Sequence, residues 1–335
     1  MDEPAVAQVD RVGPALVAEV DALLDRVAAR RGVDGLSEAR RRALLRAAGT
    51  GAGVLAVAAR DRVDGRLVGY AQVDDEGDRA AASAEIVAQD DDRVLGIGER
   101  LLDAVLAGFA AAGGGHLRLW VTHAGPDDDA RAAARGMARE RDLVQFRCAL
   151  PLPPPVRPDE VVETRPFRVG GDEPAWLAVN NRAFADHPEQ GRWDLATLLA
   201  REAEPWFDPD GFRVLEIGGR LAGSCWTKVH DRARPPMGEI YVISVDPEFH
   251  GRGLGRALTR AGLDWLATAG GVTTGMLYVD AANTAAVRLY ASLGFTPHHT
   301  DRSYVADVPP TTGGPAAGRG GWRPGQPAPT RWPME

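Results

Sequence analysis

The amino-acid sequence predicts an α/β protein that contains two copies of one domain. A glycine-rich loop stands twice between an apolar strand-like segment and a helix-like segment, as RVLGIG at 93–98 and as HGRGLG at 250–255. The segments around the two loops also follow the same order. A repeat of this length indicates a duplicated domain and not a solenoid of short repeats.

Each copy is predicted to run from a hairpin strand through an apolar strand, the glycine loop and a helix to a further strand, and then through a final helix to a last strand. In the first half these elements cover 65–73, 84–88, 99–110, 116–121 and 143–150. In the second half they cover 219–229, 238–247, 256–267, 275–280 and 294–306. The strands are assigned from short apolar runs and the helices from amphipathic spacing.

The length and two biased segments predict the domain boundaries. A chain of 335 residues is long enough for two ordinary domains. The segment PLPPPVRPDE favours an extended linker, and the Pro/Gly-rich segment from Pro309 onward has little to bury. We expect a first domain at 1–150, a linker at 151–160, a second domain at 161–308 and an unstructured tail at 309–335.

Composition excludes several functional classes. Apolar residues at 44% and charged residues at 26% are typical of a globular protein, and the net charge of −8 disfavours nucleic acid as a partner. Two cysteines and the lack of a long apolar run lead us to expect a cytoplasmic protein, not membrane-bound, and we expect a monomer. No His/Cys/Asp spacing suggests a metal, and HDRARPP and PHH are interpreted as loops.

The glycine loops predict an anion site. Glycine lets backbone N–H groups converge at a helix start, where the helix dipole also favours negative charge. Neither loop has the Gly-x-Gly-x-x-Gly spacing of a Rossmann site or the Gly-Lys-Ser/Thr of a Walker A loop. From six residues alone, a tight turn with nothing bound stays an open alternative.

Two segments of the second half resemble the Gcn5-related N-acetyltransferase (GNAT) superfamily. They are VDPEFHGRGLGRAL (245–258) and NTAAVRLYASLGF (283–295), although the superfamily usually begins the loop with Gln or Arg and this chain has His250. The first half matches more weakly, because its last helix lacks the Asn and Tyr. The resemblance implies two tandem domains, α+β in detail, each a mostly antiparallel mixed sheet flanked by helices, and acetyl-CoA as cosubstrate.

The resemblance also implies a particular acceptor. The tandem arrangement, a degenerate first half and the segments at 180–193, 204–212 and 226–230 are similar to members that acetylate the cysteinyl amine of a cysteine–glucosamine–inositol conjugate. The partners implied are this thiol-sugar and acetyl-CoA. An N-acetyltransferase for another amine and a non-catalytic acyl-CoA sensor are the alternatives.

The resemblance assigns cofactor contacts in both halves. In the second half they are Ile243, Ser244, Val245, His250, Gly251, Arg252, Gly253, Leu254, Gly255, Arg256, Asn283, Thr284, Ala285, Ala286, Val287 and Arg288. In the first half they are Ile86, Val87, Ala88, Val94, Leu95, Gly96, Ile97, Gly98 and Glu99.

Glu239 and Tyr290 are the expected catalytic residues, as general base and general acid. The structural alternatives are an exposed strand-end carboxylate and a core aromatic. The substrate contacts that the resemblance implies are Glu38, Glu189, Lys228, Glu239 and Tyr278. The alternative for Glu38 is a solvated helix residue, and for Lys228 a surface strand charge.

The first half is expected to lack both catalytic groups. Counting back from the glycine loops matches Glu239 with Ala82, and counting back from Phe295 and Leu143 matches Tyr290 with Ala138. An alanine cannot transfer a proton. We therefore expect the first half to be a binding or scaffolding domain.

Overall fold

A computed structural model describes residues 3–31, 35–50, 54–74, 82–89, 96–155, 161–185, 191–231 and 235–311. The chain divides into two compact units. Unit 1 comprises residues 1–142 and 300–335, and unit 2 comprises residues 143–299.

Unit 1 is a sheet with helices on both faces. Its helices are α1 (Pro14–Arg31), α2 (Glu38–Thr50), α3 (Ile97–Ala111) and α4 (Pro126–Ala133). Its strands are β1 (Ala5–Gln8), β2 (Leu55–Arg60), β3 (Leu67–Asp74), β4 (Ser83–Ala88) and β5 (Gly115–Val121). Neighbouring strands pair in this order, all antiparallel except β4 and β5. Apolar residues of α3 form the core on one face, and those of α1 and α2 form the core on the other.

Unit 2 repeats the same plan. Its strands are β7 (Arg165–Pro166), β8 (Phe212–Ile217), β9 (Arg220–His230), β10 (Met237–Val245) and β11 (Thr274–Asp280). Its helices are α5 (Glu173–Ala183), α6 (Leu195–Glu202), α7 (Leu254–Thr268) and α8 (Thr284–Ser292). The mixed, mostly antiparallel sheets of both units confirm the predicted fold class.

The last strand of each sequence half completes the sheet of the other half. Residues 143–149 of β6 (Ala138–Ala149) pair with β11 in unit 2, and residues 302–308 of β12 (Thr296–Val308) pair with β5 in unit 1. The units therefore differ from the expected boundaries by these two strands. Both halves end in a similar apolar strand, so the sequence pattern does not indicate which copy each strand completes.

The sheet of unit 2 has two different faces. On one face α7 packs against the strands so closely that a Cβ added at Gly262 would lie 2.4 Å from the Cys225 sulfur. On the other face an aromatic core includes Trp176, Phe212 and Trp226, with Phe212 stacked on Trp226 at 4.4 Å between ring centroids. We call these the α7 face and the aromatic face.

No helix among the residues that the structure describes is long and apolar enough to cross a membrane.

Candidate active site

An opening separates the two parallel strands at the centre of unit 2. Strands β10 and β11 are paired only where Gly238 and Glu239 face Gly275 and Met276. Beyond Glu239, β10 continues to Val245 and stays paired with β9 on its other side, with a bulge between Ile240 and Val242. The edge of β10 that faces β11 is therefore available to an extended ligand.

The hydrogen bonds to β9 show which backbone groups of β10 point into this opening. The Asp246 N–H donates to the Ala222 carbonyl at 2.9 Å. In an antiparallel pair alternate residues exchange such bonds, so Ser244 also faces β9 while Ile243 and Val245 face the opening. Ser244 is buried, and its hydroxyl lies 3.2 Å from that of Ser224.

The glycine loop after β10 forms a cradle at the start of α7. Gly251 and Gly253 have φ angles of 76° and 75°, which residues with a side chain disfavour. A Cβ at either would meet no atom of the described residues within 4 Å. The N–H groups of Leu254 and Gly255 lie in the first helical turn and have no intrahelical acceptor. A cavity of about 310 Å³ lies against the loop.

The His250, Arg252 and Arg256 side chains of the loop and the first turn of α7 make contacts within the protein. The His250 Nε2 is 3.1 Å from the Val245 carbonyl oxygen, to which it donates. Arg256 donates to the Ser292 hydroxyl at 2.5 Å and lines the cavity. The Arg252 guanidinium lies 5.1 Å from the centroid of the Phe249 ring.

Helix α8 begins with the predicted Asn283, whose side-chain oxygen accepts from the Ala286 N–H at 3.1 Å. Asn283 is therefore the N-cap of α8, and this capping role explains why an asparagine stands at the position. Of the remaining cofactor residues predicted on α8, some are exposed (Thr284, Ala285 and Arg288) and some are partly buried (Ala286 and Val287).

Tyr290 lies on α8 within the core of the α7 face. Its ring packs edge-on against Phe295 at 5.8 Å, and its hydroxyl makes no hydrogen bond to the described residues. Burial raises the pKa of Tyr290 well above its ordinary value, and the thiol of Cys225 raises it further. The phenol is therefore kept protonated at neutral pH.

Glu239 points to the opposite side of the sheet. Its neighbours Gly238 and Ile240 face α7, so its side chain lies on the aromatic face. The carboxylate is largely buried, and its Oε2 lies 2.7 Å from His230 Nε2. The structure thus excludes an exposed strand-end carboxylate.

His230 is a contact that the sequence analysis missed. It is the last residue of β9, where HDRARPP was interpreted as a loop, and PHH likewise lies in β12. The loop interpretation was therefore wrong for PHH and for His230, whereas Asp231, Pro235 and Pro236 lie outside the strands as expected. The sequence signal was the position of His230 two residues after Lys228, which places both side chains on the same face of a strand.

Lys228 is buried and not a surface charge. It is the residue opposite Glu239 in the β9–β10 register, so it shares the aromatic face with Glu239. Its ammonium lies 4.7 Å from the Trp206 ring centroid and 5.7 Å from that of Tyr241. The aromatic rings stabilise a cation here.

Tyr278 is the third predicted substrate residue on this face. Met276 adjoins Glu239 in the β10–β11 register, and Tyr278 follows two residues later on the same side. The ring is partly exposed, and its hydroxyl accepts from Gln145 Nε2 at 2.7 Å. Glu239, Lys228 and Tyr278 therefore share one part of the aromatic face, and we call this part the acceptor face.

The comparisons with known proteins agree with this geometry. A profile of the acetyltransferase (GNAT) family matches residues 176–295. The mycothiol acetyltransferase of Acidothermus cellulolyticus is 44% identical, with 92% of this chain and 95% of that protein covered. That of Thermomonospora curvata is 45% identical, with 92% and 100% covered.

The chain belongs to the mycothiol acetyltransferase family. It is therefore an acyltransferase, and GNAT acetyltransferases use acetyl-CoA. Solved structures with the same fold include a GCN5-related N-acetyltransferase from Sphaerobacter thermophilus. That structure has a TM-score of 0.66, 21% identity, and coverage of 91% of this chain and 96% of its own. A tandem GNAT protein from the clavulanic acid pathway has a TM-score of 0.62, 18% identity, and coverage of 92% and 100%.

Some residues predicted for a mycothiol acetyltransferase site are not placed on the acceptor face. Glu189, Val94 and Leu95 lie outside the described residues. Glu38 begins α2 of unit 1, where its carboxylate lies 3.6 Å from Arg42 one turn later. These four residues stay predictions.

In unit 1, the described end of the glycine loop has the same backbone conformation as in unit 2. Gly96 precedes α3 with φ 80° and ψ 1°, against 75° and 3° for Gly253 before α7. Gly98 lies in the first turn of α3, and the nearby carboxylate of Glu99 pairs with Arg131 and Arg135. The other predicted cofactor residues here are Ile86, Val87, Ala88 on β4 and Ile97 on α3.

The counterpart of Tyr290 in unit 1 is Ala132, not Ala138. Phe295 N–H donates to the Tyr290 carbonyl, and Met137 N–H donates in the same way to the Ala132 carbonyl. The sequence count was wrong by six residues, because it matched Phe295 with Leu143 in place of Met137. The conclusion that unit 1 has no phenol at this position is unchanged.

Buried charges fill the face of unit 1 that lies opposite α3. Glu85 accepts from the Ser37 N–H at 2.7 Å and from the Ser37 hydroxyl at 2.5 Å. The Arg40 guanidinium lies 3.6 Å from Glu85 and 3.5 Å from Asp74. The protein's own groups thus occupy this face. The sequence count that matched Glu239 with Ala82 was wrong by one residue, because Ala82 belongs to the core on the α3 face and the bulge between Ile240 and Val242 of β10 shifts the count. Ser83, which shares the face of Glu85, holds the corresponding position and carries no base.

Proposed function

We propose that unit 2 transfers the acetyl group of acetyl-CoA to the cysteinyl amine of the cysteine–glucosamine–inositol conjugate, desacetylmycothiol, as the last step of mycothiol biosynthesis. The observation that carries the proposal is the opening beside β10, which has a carboxylate on one face and a buried phenol on the other. The names of the family members support the choice of acceptor.

The glycine loop fits the pyrophosphate of acetyl-CoA. The N–H groups at the start of α7 and the open space above Gly251 and Gly253 suit an anion that approaches the backbone closely. Arg256 adds positive charge at the cavity wall. Bound acetyl-CoA supplies the thioester that the amine attacks.

The β10 edge suits the pantetheine arm and the thioester. Ile243 and Val245 direct backbone groups into the opening, so their N–H groups can donate to amide or thioester oxygens there. The Val245 carbonyl already accepts from His250, which fixes the end of the strand next to the loop.

Glu239 is the group that takes the proton from the acceptor ammonium, directly or through one water. His230 donates its Nε2–H to Oε2, which orients the carboxylate and leaves Oε1 for the incoming proton. His230 therefore acts as a positioning residue for Glu239.

Tyr290 is suited to protonate the departing coenzyme A thiolate. Its raised pKa keeps the proton on the phenol across the neutral range. Because Tyr290 lies towards the α7 face and Glu239 lies on the acceptor face, the acid and the base approach the thioester from different sides.

The acceptor face suits a polar acceptor with a cationic amine next to Glu239. Lys228 and Tyr278 offer donors to sugar oxygens, and the other predicted contacts are Glu38 and Glu189. The Trp206 Nε1–H beside Lys228 is buried without a partner among the described residues, which fits a donor reserved for a ligand oxygen.

The test compares acetyl transfer to the conjugate with transfer to an aminoglycoside, a polyamine and a peptide N-terminus. Mass spectrometry should follow the acetylated product, because the thiol of the conjugate interferes with thiol reagents. We expect the highest kcat/KM for the conjugate, by at least about tenfold, or 1.4 kcal/mol. A higher value for another amine would reassign the acceptor, and acetyl-CoA binding without any transfer would indicate a sensor.

A further inference from the structure

The exchanged strand β6 brings two polar side chains to the acceptor face of unit 2. In the β6–β11 register, Gln145 is opposite Tyr278 and Arg147 is opposite Met276. The alternate residues Phe146 and Cys148 belong to the core of the α7 face. Gln145 and Arg147 therefore share the face of Tyr278, although they come from the half of the sequence without catalytic groups.

A chain of hydrogen bonds connects the three polar residues. Arg147 Nε donates to Gln145 Oε1 at 2.7 Å, and Gln145 Nε2 donates to the Tyr278 hydroxyl at 2.7 Å. Gln145 is only 2% exposed, so the oxygen and the nitrogen of its side-chain amide make these two hydrogen bonds in a buried environment. It holds the Arg147 and Tyr278 side chains in fixed relative positions.

The Arg147 guanidinium has no carboxylate partner among the described residues. Within the described ranges only its Nε–H has an acceptor, which leaves the N–H groups of both terminal nitrogens for a ligand. Burial lowers the pKa of Arg147 from its ordinary value, and the pKa of His298 is lowered by its own burial and by Arg147 nearby. Neither terminal nitrogen belongs to the buried atoms that lack a partner, so both can be reached from solvent, and a ligand in the site can supply acceptors to them.

The strand order sets the distance of this cation from the base. Glu239 is on β10 and Arg147 is two strands away on β6, which corresponds to about 10 Å at the usual strand spacing. A group bound by Arg147 therefore belongs to the part of the acceptor remote from the amine. The remote part of the conjugate is two rings with hydroxyl groups.

We infer that Arg147 and Tyr278 form a subsite for the sugar hydroxyls of the acceptor, with Gln145 as the residue that positions both. This assignment rests on the proposed function. It gives the first half of the sequence a direct part in acceptor selection by the second unit.

The test uses the full-length protein and three acceptors: the complete conjugate, cysteinyl-glucosamine without the inositol, and cysteinamide. Arg147→Met should raise KM for the complete conjugate about tenfold, through loss of one or two hydrogen bonds. Its kcat and its KM for acetyl-CoA should stay at the wild-type values. With cysteinamide, which has no ring, Arg147→Met should behave like the wild type.

Two further variants make the result interpretable. Arg147→Lys keeps the positive charge but lacks the planar guanidinium, so its KM for the complete conjugate should lie between those of the wild type and Arg147→Met. If Arg147→Met folds poorly, Arg147→Lys still tests the subsite. Arg213→Met is the matched control, because Arg213 is also half-buried in unit 2 but faces α7 and donates to Thr164. It should not change the KM for any acceptor.

The outcomes separate this assignment from the proposed function. A wild-type enzyme that does not acetylate the conjugate overturns both. A wild-type enzyme that does so, with an unchanged KM in both Arg147 variants, overturns the subsite alone. An equal rise in KM for all three acceptors also overturns it, because Arg147 would then support the fold or the base.

Discussion

The two glycine loops allow a substitution experiment with an internal control. Gly253→Ala and Gly96→Ala introduce the same methyl group into nearly the same left-handed backbone, since φ and ψ differ by only a few degrees. Neither methyl group comes within 4 Å of an atom in the part of the chain that the structure describes. The backbone strain should therefore destabilise each variant by a similar amount, about 1–2 kcal/mol.

The two variants should differ in their effect on acetyl-CoA. At Gly253 the methyl group enters the space above the cradle and separates the pyrophosphate from at least one backbone N–H. A hydrogen bond to a charged group contributes about 1.5–3 kcal/mol, so kcat/KM for acetyl-CoA should fall about 10- to 100-fold. Gly96→Ala should keep nearly all of the turnover, because Ser83 and Ala132 leave unit 1 without a base or an acid at these two positions.

Thermal unfolding of both variants should show equal losses of stability, and calorimetry should count bound acetyl-CoA in each. If Gly96→Ala is folded and as inactive as Gly253→Ala, the assignment of turnover to unit 2 is refuted. If the two variants differ strongly in stability, the assumption of equal strain fails, and rates must be compared at temperatures equally far below each midpoint.

Three further substitutions test individual residues. Tyr290→Phe should lower kcat about 10²- to 10⁴-fold with an unchanged pH profile below about pH 9; unchanged turnover would remove Tyr290 from the acid role. Lys228→Met should raise KM for the conjugate and leave acetyl-CoA binding unaltered, and equal weakening of both ligands in steady-state kinetics would contradict this. Burial and the Glu173 carboxylate raise the pKa of Glu202 from 4.5 to about 7, so its contribution to stability is complete below 4.5 and is lost as the pH rises through 7. Between pH 5 and 8 the unfolding free energy of the wild type should therefore fall by about 1–2 kcal/mol, after allowance for solvent screening, whereas that of Glu202→Gln should not. Denaturant unfolding at both pH values measures this difference. An equal change in the two proteins would show that the carboxyl is not buried.

The sequence was sufficient to predict features that depend on neighbouring residues. The order strand, glycine loop, helix is local, and the left-handed conformation at Gly96 and Gly253 follows from the absence of a side chain. The placement of Lys228 and Glu239 on one face also follows from strand alternation once the two strands pair.

Features that depend on long-range pairing could not be predicted. The register of β6 with β11 joins residues more than a hundred positions apart, so neither the strand exchange nor the contact of Gln145 with Tyr278 has a local signal. The burial of Lys228 requires aromatic residues from a separate segment, including Trp206. The contact of His230 with Glu239 requires the β9–β10 hairpin to extend one residue pair further than its apolar pattern.

The most direct test of the central claim is the rate of acetyl transfer to the conjugate by Glu239→Gln. The amide keeps the size of the side chain and can still accept from His230, but it cannot take a proton. We predict that kcat falls about 10²- to 10⁴-fold, while calorimetry gives a wild-type Kd for acetyl-CoA. Wild-type turnover in the folded variant at neutral pH would contradict the claim that Glu239 is the base of this transferase.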